Sequence, residues 1–231
     1  MSKHINARKS DIAESVILIN DPVIVKKLSE KYLRGVKLVN NLNFALAYSG
    51  YYEDKFVTIL ASGIGMASLS TYVHELYDDY GVNKIVKIGN CISYYEEIGL
   101  RDIILVEKTY TKSNFSTLYD NEVVNVAKSS VLLSQKVVNT AHKQGFELKI
   151  GNIATNECEY GYYDDPSIKE NYCLAFDTET FALFYLSKRF DKQAACLTFV
   201  SNIKDTDQNL SDESFEKMYD RLLLLVLDSI K

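Results

Sequence analysis

The chain has little of several residues on which particular protein classes depend. Only two prolines and no tryptophan occur among its 231 residues. The four cysteines, Cys91, Cys158, Cys173 and Cys196, show no CxxC spacing, so neither a zinc site nor a dithiol couple is indicated. We therefore expect reduced thiols, as in a cytoplasmic protein, and no metal.

Long apolar runs and basic clusters are also missing. The N-terminus has no apolar core of signal-peptide length, and the last apolar run, 222–227, is too short to cross a bilayer. The net charge is −5, and no basic run is interleaved with aromatic residues. We therefore expect a cytoplasmic protein whose partners include neither membrane nor nucleic acid.

What is present is a pattern of alternating strands and helices. Strands are predicted at 16–19, 36–39, 43–49, 55–61, 85–88, 103–107, 148–154 and 194–200. Helices are predicted at 22–33, 70–80, 120–144, 181–189 and 213–230. This alternation predicts one α/β domain over 1–231, with three layers (α/β/α) around a mixed, mainly parallel twisted sheet. The Tyr- and Asp-rich segment 157–172 is predicted to be a loop that could cover a site.

Two glycine turns follow predicted central strands. Gly63 and Gly65 come after the strand at 55–61, and Gly89, Asn90 and Cys91 come after the strand at 85–88. Such turns bring open backbone to one edge of a parallel sheet, where small ligands with anionic or hydroxyl groups are usually held. The sequence thus predicts a small-molecule site at this edge.

An ordered set of short motifs extends this interpretation to almost the whole chain. The set is His4-Ile-Asn-Ala7, Asn20-Asp21-Pro22, Asn40-Asn41, Gly63-Ile-Gly65, Lys87-Ile-Gly89-Asn90-Cys91, Leu100-Arg101-Asp102, Gly151-Asn152, Asp177-Thr178-Glu179 and Val200-Ser201-Asn202. In this order the chain resembles the nucleoside phosphorylase superfamily, most closely its bacterial hexameric purine nucleoside phosphorylase branch. The resemblance implies cleavage of the N-glycosidic bond of a nucleoside, with inorganic phosphate as co-substrate and no other cofactor. It also implies a homohexamer built as a trimer of dimers.

The resemblance assigns the sugar site to a few residues. Glu179 matches the family glutamate that accepts hydrogen bonds from ribose hydroxyls, and both Glu179 and Asn202 are implied to be catalytic. His4 matches a histidine that reaches across a subunit interface to the 5′-hydroxyl. Asp177 and Thr178, which replace a glutamate and an apolar residue of the family, and Cys91 are implied to bind substrate.

The implied phosphate site consists of Asn20, Asn43, Lys87 and Asn90. The family has glycine, arginine, arginine and serine at these positions and a further arginine at Ile24, so only Lys87 is still cationic. Losing one arginine that donates two hydrogen bonds to the phosphate costs about 1.5–3 kcal/mol of anion-binding free energy, the scale of a hydrogen bond to a charged group. We expect an atypical anion site.

The implied leaving-group site has changed as well. Asn202 replaces the aspartic acid that protonates purine N7, and the family arginine near Ser214 is absent. An amide can still donate an N–H to N7, which favours a 6-oxopurine over adenine. Tyr160 is near the position of a family aromatic residue that stacks on the base, and Ile92 replaces a glycine beside the base.

Three functions stay open at this point. The first is a purine nucleoside phosphorylase with an altered anion site. The second is a hydrolytic nucleosidase, in which Asn20, Asn43 and Asn90 position water and Glu179 or Asp177 acts as general base. The third is an inert nucleoside-binding homologue, and the fold alone does not choose among them.

Overall fold

The computed structural model describes residues 2–160 and 166–230. In these residues ten strands form one mixed sheet. The strands are β1 (Ser15–Ile19), β2 (Arg34–Asn40), β3 (Ala47–Tyr52), β4 (Lys55–Ala61), β5 (Lys84–Ser93), β6 (Ile103–Tyr110), β7 (Val126–Lys128), β8 (Lys149–Thr155), β9 (Cys173–Asp177) and β10 (Gln193–Ile203). The α-helices are α1 (Pro22–Tyr32), α2 (Met66–Asp78), α3 (Phe115–Asp120), α4 (Val131–Gln144), α5 (Pro166–Glu170), α6 (Thr180–Arg189) and α7 (Asp212–Ser229).

The strand order explains where a site can form. The four strands β4, β1, β5 and β10 lie side by side and parallel, so their carboxyl ends share one edge of the sheet. Strand β5 also pairs with β9, and β10 pairs with β6, so that β5, β10, β6, β8 and β9 close into a ring. The sequence did not indicate this closure.

Helices cover both faces of the sheet, which confirms the predicted α/β/α architecture. One core cluster packs α2 and α6 on the first face, with Val73 and Phe184 fully buried. The second core cluster packs α1, α4 and α7 on the other face, with Val25 and Leu222 fully buried. Most elements follow their local signals. Helix α1, for example, begins where the Asp21 side chain accepts hydrogen bonds from the first turn and Pro22 occupies its first position.

Three predicted features are wrong. The turn predicted at Gly89, Asn90 and Cys91 is instead part of strand β5, which runs on to Ser93. The predicted strand at 43–49 begins only at Ala47, because Asn43 and Phe44 have positive φ angles of 52° and 59° and form a 3₁₀ turn instead. The predicted helix at 120–144 begins only at Val131. Its first part is strand β7, which pairs antiparallel with β6.

Two elements at the site edge were missed. Strand β9 and helix α5 lie in or next to the segment 157–172 that was predicted to be a loop. Residues 161–165 of that segment lie outside the described residues. Strand β9 matters most, because it ends at Asp177 and leads directly into α6.

Candidate active site

A cleft opens at the carboxyl ends of the parallel strands. Its cavity volume is about 60 Å³, well below the usual range for ligand sites, so the cleft is narrow in this conformation. The described residues that line it are Asn20, Ile64, Asn90, Cys91, Ile92, Glu159, Phe176, Asp177, Thr178 and Glu179. The structure therefore brings together six residues that the sequence assigned to substrate or phosphate: Asn20, Asn90, Cys91, Asp177, Thr178 and Glu179.

Asp177 is saturated with hydrogen bonds. Its Oδ1 accepts from the Thr155 hydroxyl at 2.9 Å and from the backbone N–H groups of Glu179 and Thr180 at 3.3 and 3.2 Å. Its Oδ2 accepts from the Thr180 hydroxyl and from Lys87 Nζ, the latter at 3.0 Å. Asp177 therefore holds the start of α6, and its oxygens have little capacity left for a substrate.

Glu179 lies at the floor of the cleft and has one acceptor position left. Its Oε1 accepts from the backbone N–H of Gly65 at 2.9 Å and from the Thr178 hydroxyl. Its Oε2 lies 3.1 Å from Lys87 Nζ. Because a carboxylate offers about four lone-pair positions, one donor of a ligand can still be accepted. The Gly63–Gly65 turn thus positions the carboxylate that was assigned to the sugar.

Lys87 is not an exposed anion ligand. Its side chain is 0% exposed, and its ammonium lies between Asp177 Oδ2 and Glu179 Oε2. Burial alone lowers the pKa of Lys87, but the two carboxylates outweigh burial and hold the pKa well above its usual value. Gly89, two residues along β5, makes room for this ammonium, since a Cβ there would lie 2.7 Å from Lys87 Nζ.

The electrostatics of the cleft differ from those of an anion site. Among its described lining residues none is basic, whereas Glu159, Asp177 and Glu179 are acidic. Lys26 and Lys27 on α1 face solvent, and Lys27 is paired with Glu216.

The asparagines of the predicted phosphate site separate in the structure. Asn20 follows β1 and Asn90 lies in β5, and both line the cleft. Asn90 donates a hydrogen bond to the Ser201 hydroxyl at 3.1 Å. Asn43 is exposed in the 3₁₀ turn and is not among the described lining residues.

Asn202 belongs to a row of hydrogen-bonded polar side chains next to the cleft. Its Oδ1 accepts from the Ser201 hydroxyl at 2.5 Å, and its Nδ2 donates to Asn209 Oδ1. Nearby, the Arg101 guanidinium donates to the Ser214 hydroxyl at 3.0 Å. An arginine thus reaches the position of Ser214 from another part of the chain, which the sequence reasoning missed.

His4 lies far along α2 from the cleft of its own chain. Glu75 accepts hydrogen bonds from His4 Nδ1 at 2.7 Å and from the backbone N–H groups of Lys3 and His4. Helix α2 begins at Met66 beside the cleft, so Glu75 is about 14 Å further along its axis. The His4 side chain is 41% exposed.

Three lining residues were missed, and Tyr160 lies apart. Tyr160 is 90% exposed, and its neighbour Glu159 lines the cleft instead. Ile64 and Phe176 also line it. The apolar run before Asp177 was the available signal for Phe176, since it marks the unrecognised strand β9.

No group of three His, Cys, Asp or Glu side chains in residues 2–160 and 166–230 is placed to hold a metal ion. None of the described helices combines the length and hydropathy that a bilayer-spanning segment needs.

The sequence matches a known protein family over most of its length. Residues 14–228 match the model of the phosphorylase superfamily. The chain belongs to the phosphorylase superfamily. It is 32% identical over 232 aligned positions to a protein of Caldanaerobacter subterraneus subsp. tengcongensis named purine nucleoside phosphorylase DeoD-type, covering 99% of both chains. Proteins with the same name from Alkaliphilus metalliredigens and Colwellia psychrerythraea are each 31% identical, over 99% and 98% of both chains.

Proposed function

We propose that this chain is an enzyme of the purine nucleoside phosphorylase type, a pentosyltransferase that cleaves the N-glycosidic bond of a purine nucleoside. The observation that carries the proposal is the Glu179 carboxylate, fixed at the floor of the cleft with one free acceptor position. A sugar hydroxyl is the donor that fits this position. The names of the full-length relatives support the same reaction class.

The proposed base is a 6-oxopurine. Asn202 is an amide, which does not release a proton at neutral pH, and it uses one N–H on Asn209. Its second N–H is available to donate to purine N7. We propose that Arg101, held at Ser214, contributes positive charge on this side as the base leaves.

The proposed assembly is a homo-oligomer in which His4 of one copy reaches the sugar in the site of another. This proposal is supported by the exposed His4 ring and by its distance from the cleft of its own chain. Glu75 would orient the ring by holding Nδ1, which leaves Nε2 to face outward.

Product analysis tests the proposed function. The purified chain is incubated with inosine, guanosine, adenosine and uridine in the presence of inorganic phosphate, and free base is separated by chromatography. We expect purine release that is faster from inosine and guanosine than from adenosine. Absence of base release from every purine nucleoside would contradict the proposal.

A further inference from the structure

Glu159 is the carboxylate of the cleft that the surrounding protein does not engage. Asp177 and Glu179 are both held by hydrogen bonds and by the ammonium of Lys87. Glu159 is exposed and lines the cleft, and none of the described residues donates a hydrogen bond to it or pairs with its charge. A ligand that enters the cleft therefore meets a carboxylate that can accept new hydrogen bonds.

The strand register places Glu159 and Asn202 on opposite sides of the cleft. Ile92 of β5 pairs with Asn202 of β10 on one side and with Phe176 of β9 on the other. Phe176 in turn pairs with Ala154 of β8, and the segment that follows β8 carries Glu159. The two polar side chains thus approach the cleft from β10 and from β8, with β5 and β9 between them.

The distance across these strands suits a purine base. Neighbouring strands lie about 4.8 Å apart, so β10 and β8 are roughly 14 Å apart. A purine with one hydrogen bond at N7 and one at the substituent of C2 spans about 11 Å, including two bonds of about 2.9 Å. Ile92 and Phe176 line the cleft between the two polar groups and offer apolar contacts to the ring. A base whose N7 faces Asn202 therefore turns its N1 and C2 edge towards Glu159.

Guanine complements a carboxylate on this edge better than the other purines. Its N1–H and its 2-amino group lie side by side, and together they donate to both oxygens of one carboxylate. Hypoxanthine has only the N1–H on this edge. Adenine has an acceptor at N1, whose partial negative charge a carboxylate repels. The charge of Glu159 therefore distinguishes the bases at the edge that Asn202 does not reach.

We propose that Glu159 is a specificity-determining residue that selects guanine nucleosides by accepting hydrogen bonds from N1–H and the 2-amino group. This inference rests on the proposed function, since it requires a purine nucleoside in the cleft with N7 towards Asn202. It narrows the proposed 6-oxopurine to guanine. Glu159 recognises the base and takes no part in breaking the N-glycosidic bond.

Competition between two nucleosides tests this inference. Guanosine and inosine are supplied together at equal concentration with inorganic phosphate, and the released guanine and hypoxanthine are separated by chromatography. The ratio of the two initial rates gives the ratio of the kcat/KM values. We expect guanosine to be favoured about tenfold, the scale of one additional hydrogen bond to a charged group.

A matched pair of variants tests the role of Glu159 itself. Glu159→Gln keeps the size of the side chain but replaces one acceptor by a donor and removes the charge, so the ratio should fall to near one. Glu170→Gln removes an exposed carboxylate of α5 that is not among the described lining residues, and it should keep the parent ratio. Both nucleosides meet the same enzyme in one reaction, so the ratio does not depend on how much of a variant is folded.

The possible failures can be told apart. A parent ratio near one, or a ratio that Glu159→Gln leaves unchanged, would overturn this inference and leave the proposed function intact. No base release from either nucleoside would overturn the proposed function and this inference together.

Discussion

The ammonium of Lys87 lies 3.1 Å from Glu179 Oε2, and both side chains are closed off from solvent. Asp177 lies on the other side of the ammonium, so the positive charge of Lys87 neutralises the protein's own carboxylates. A buried ion pair gives little net stability compared with apolar residues, but breaking it leaves an uncompensated charge. Asp177 and Lys87 therefore hold the Glu179 carboxylate in a fixed position at the cleft.

Lys87→Met should destabilise the fold by about 3–5 kcal/mol, because Asp177 and Glu179 would lose their common counterion. Chemical denaturation measures this free energy of unfolding. The control is Lys26→Met, an exposed lysine on α1, which should change it by less than about 0.5 kcal/mol. Equal stabilities of the two variants would contradict the buried ion-pair arrangement.

Gly89→Ala should displace the same ammonium, because the added Cβ would lie 2.7 Å from Lys87 Nζ. We expect a loss of about 1–3 kcal/mol in unfolding free energy, the usual cost of overpacking a filled core. Gly99→Ala is a matched control, since no atom lies within 4 Å of its added Cβ. Equal denaturation curves for the two variants would contradict the view that Gly89 makes room for the Lys87 ammonium.

Glu179→Gln should lower kcat/KM for purine nucleosides about 100-fold, the scale of one charged group that stabilises a transition state. The amide keeps the shape of the side chain but removes the charge that faces the sugar. Glu157→Gln, an exposed residue that is not among the described lining residues of the cleft, should retain the parent activity. Steady-state kinetics on inosine decide the point, and full activity of Glu179→Gln would remove this residue from the proposed site.

Asn202→Asp should shift the base preference towards adenosine, because a carboxylic acid can protonate N7 and an amide cannot. We expect the ratio of kcat/KM for adenosine to that for inosine to rise about tenfold or more. Asn209→Ala removes only the partner of Asn202 and should leave the ratio near its parent value. A constant ratio in Asn202→Asp would place this residue outside the base site.

Acid should release the N-terminal segment before it unfolds the sheet. Burial raises the pKa of Glu75, but hydrogen bonds from Ser2, His4 and the backbone outweigh it, and the pKa is lowered below its usual value. A depressed carboxyl pKa stabilises the folded contact above the ordinary value near 4.5, and this contribution is lost as the pH falls through the folded-state value.

Hydrogen exchange at the amides of Lys3 and His4 measures this release. Glu75→Gln should lower the protection of these amides, relative to their intrinsic exchange, at neutral pH, and should remove the further loss of protection on acidification. Asp78→Asn, an exposed change on the same helix, should leave both properties as they are. Exchange rates in Glu75→Gln equal to those of the parent would contradict the role of Glu75.

Local signals predicted the elements whose ends are determined locally. Helix α1 begins at an Asp-Pro pair, and strand β4 coincides with its apolar run. The helix prediction for 120–144 failed because Val126 and Ala127 belong to β7, whose strand state depends on pairing with β6. Sequence spacing does not reveal such a non-local pairing.

The candidate site was likewise predicted where local motifs determine it and missed where distant residues pair. The Gly63–Gly65 turn and the Asp177-Thr178-Glu179 motif were recognised, and Ile64 of the turn lines the same cleft as the motif. The second predicted turn, at Gly89, Asn90 and Cys91, is wrong, because these residues continue strand β5. The prediction that Lys87 serves an anion followed from the resemblance, which did not indicate that Lys87 pairs with Asp177, 90 residues away. A lysine flanked by isoleucine and valine in a buried strand was the signal that a counterion was needed.

The complete burial of Lys87 also makes it distinguishable from the surface lysines by chemistry. An amine-reactive reagent should modify exposed lysines such as Lys26 quickly, while Lys87 reacts only when the strands around β5 separate. The rate at which mass spectrometry finds the label on Lys87 would therefore report opening of the centre of the sheet. Labelling of this one side chain would thus measure how often the native state opens at its core.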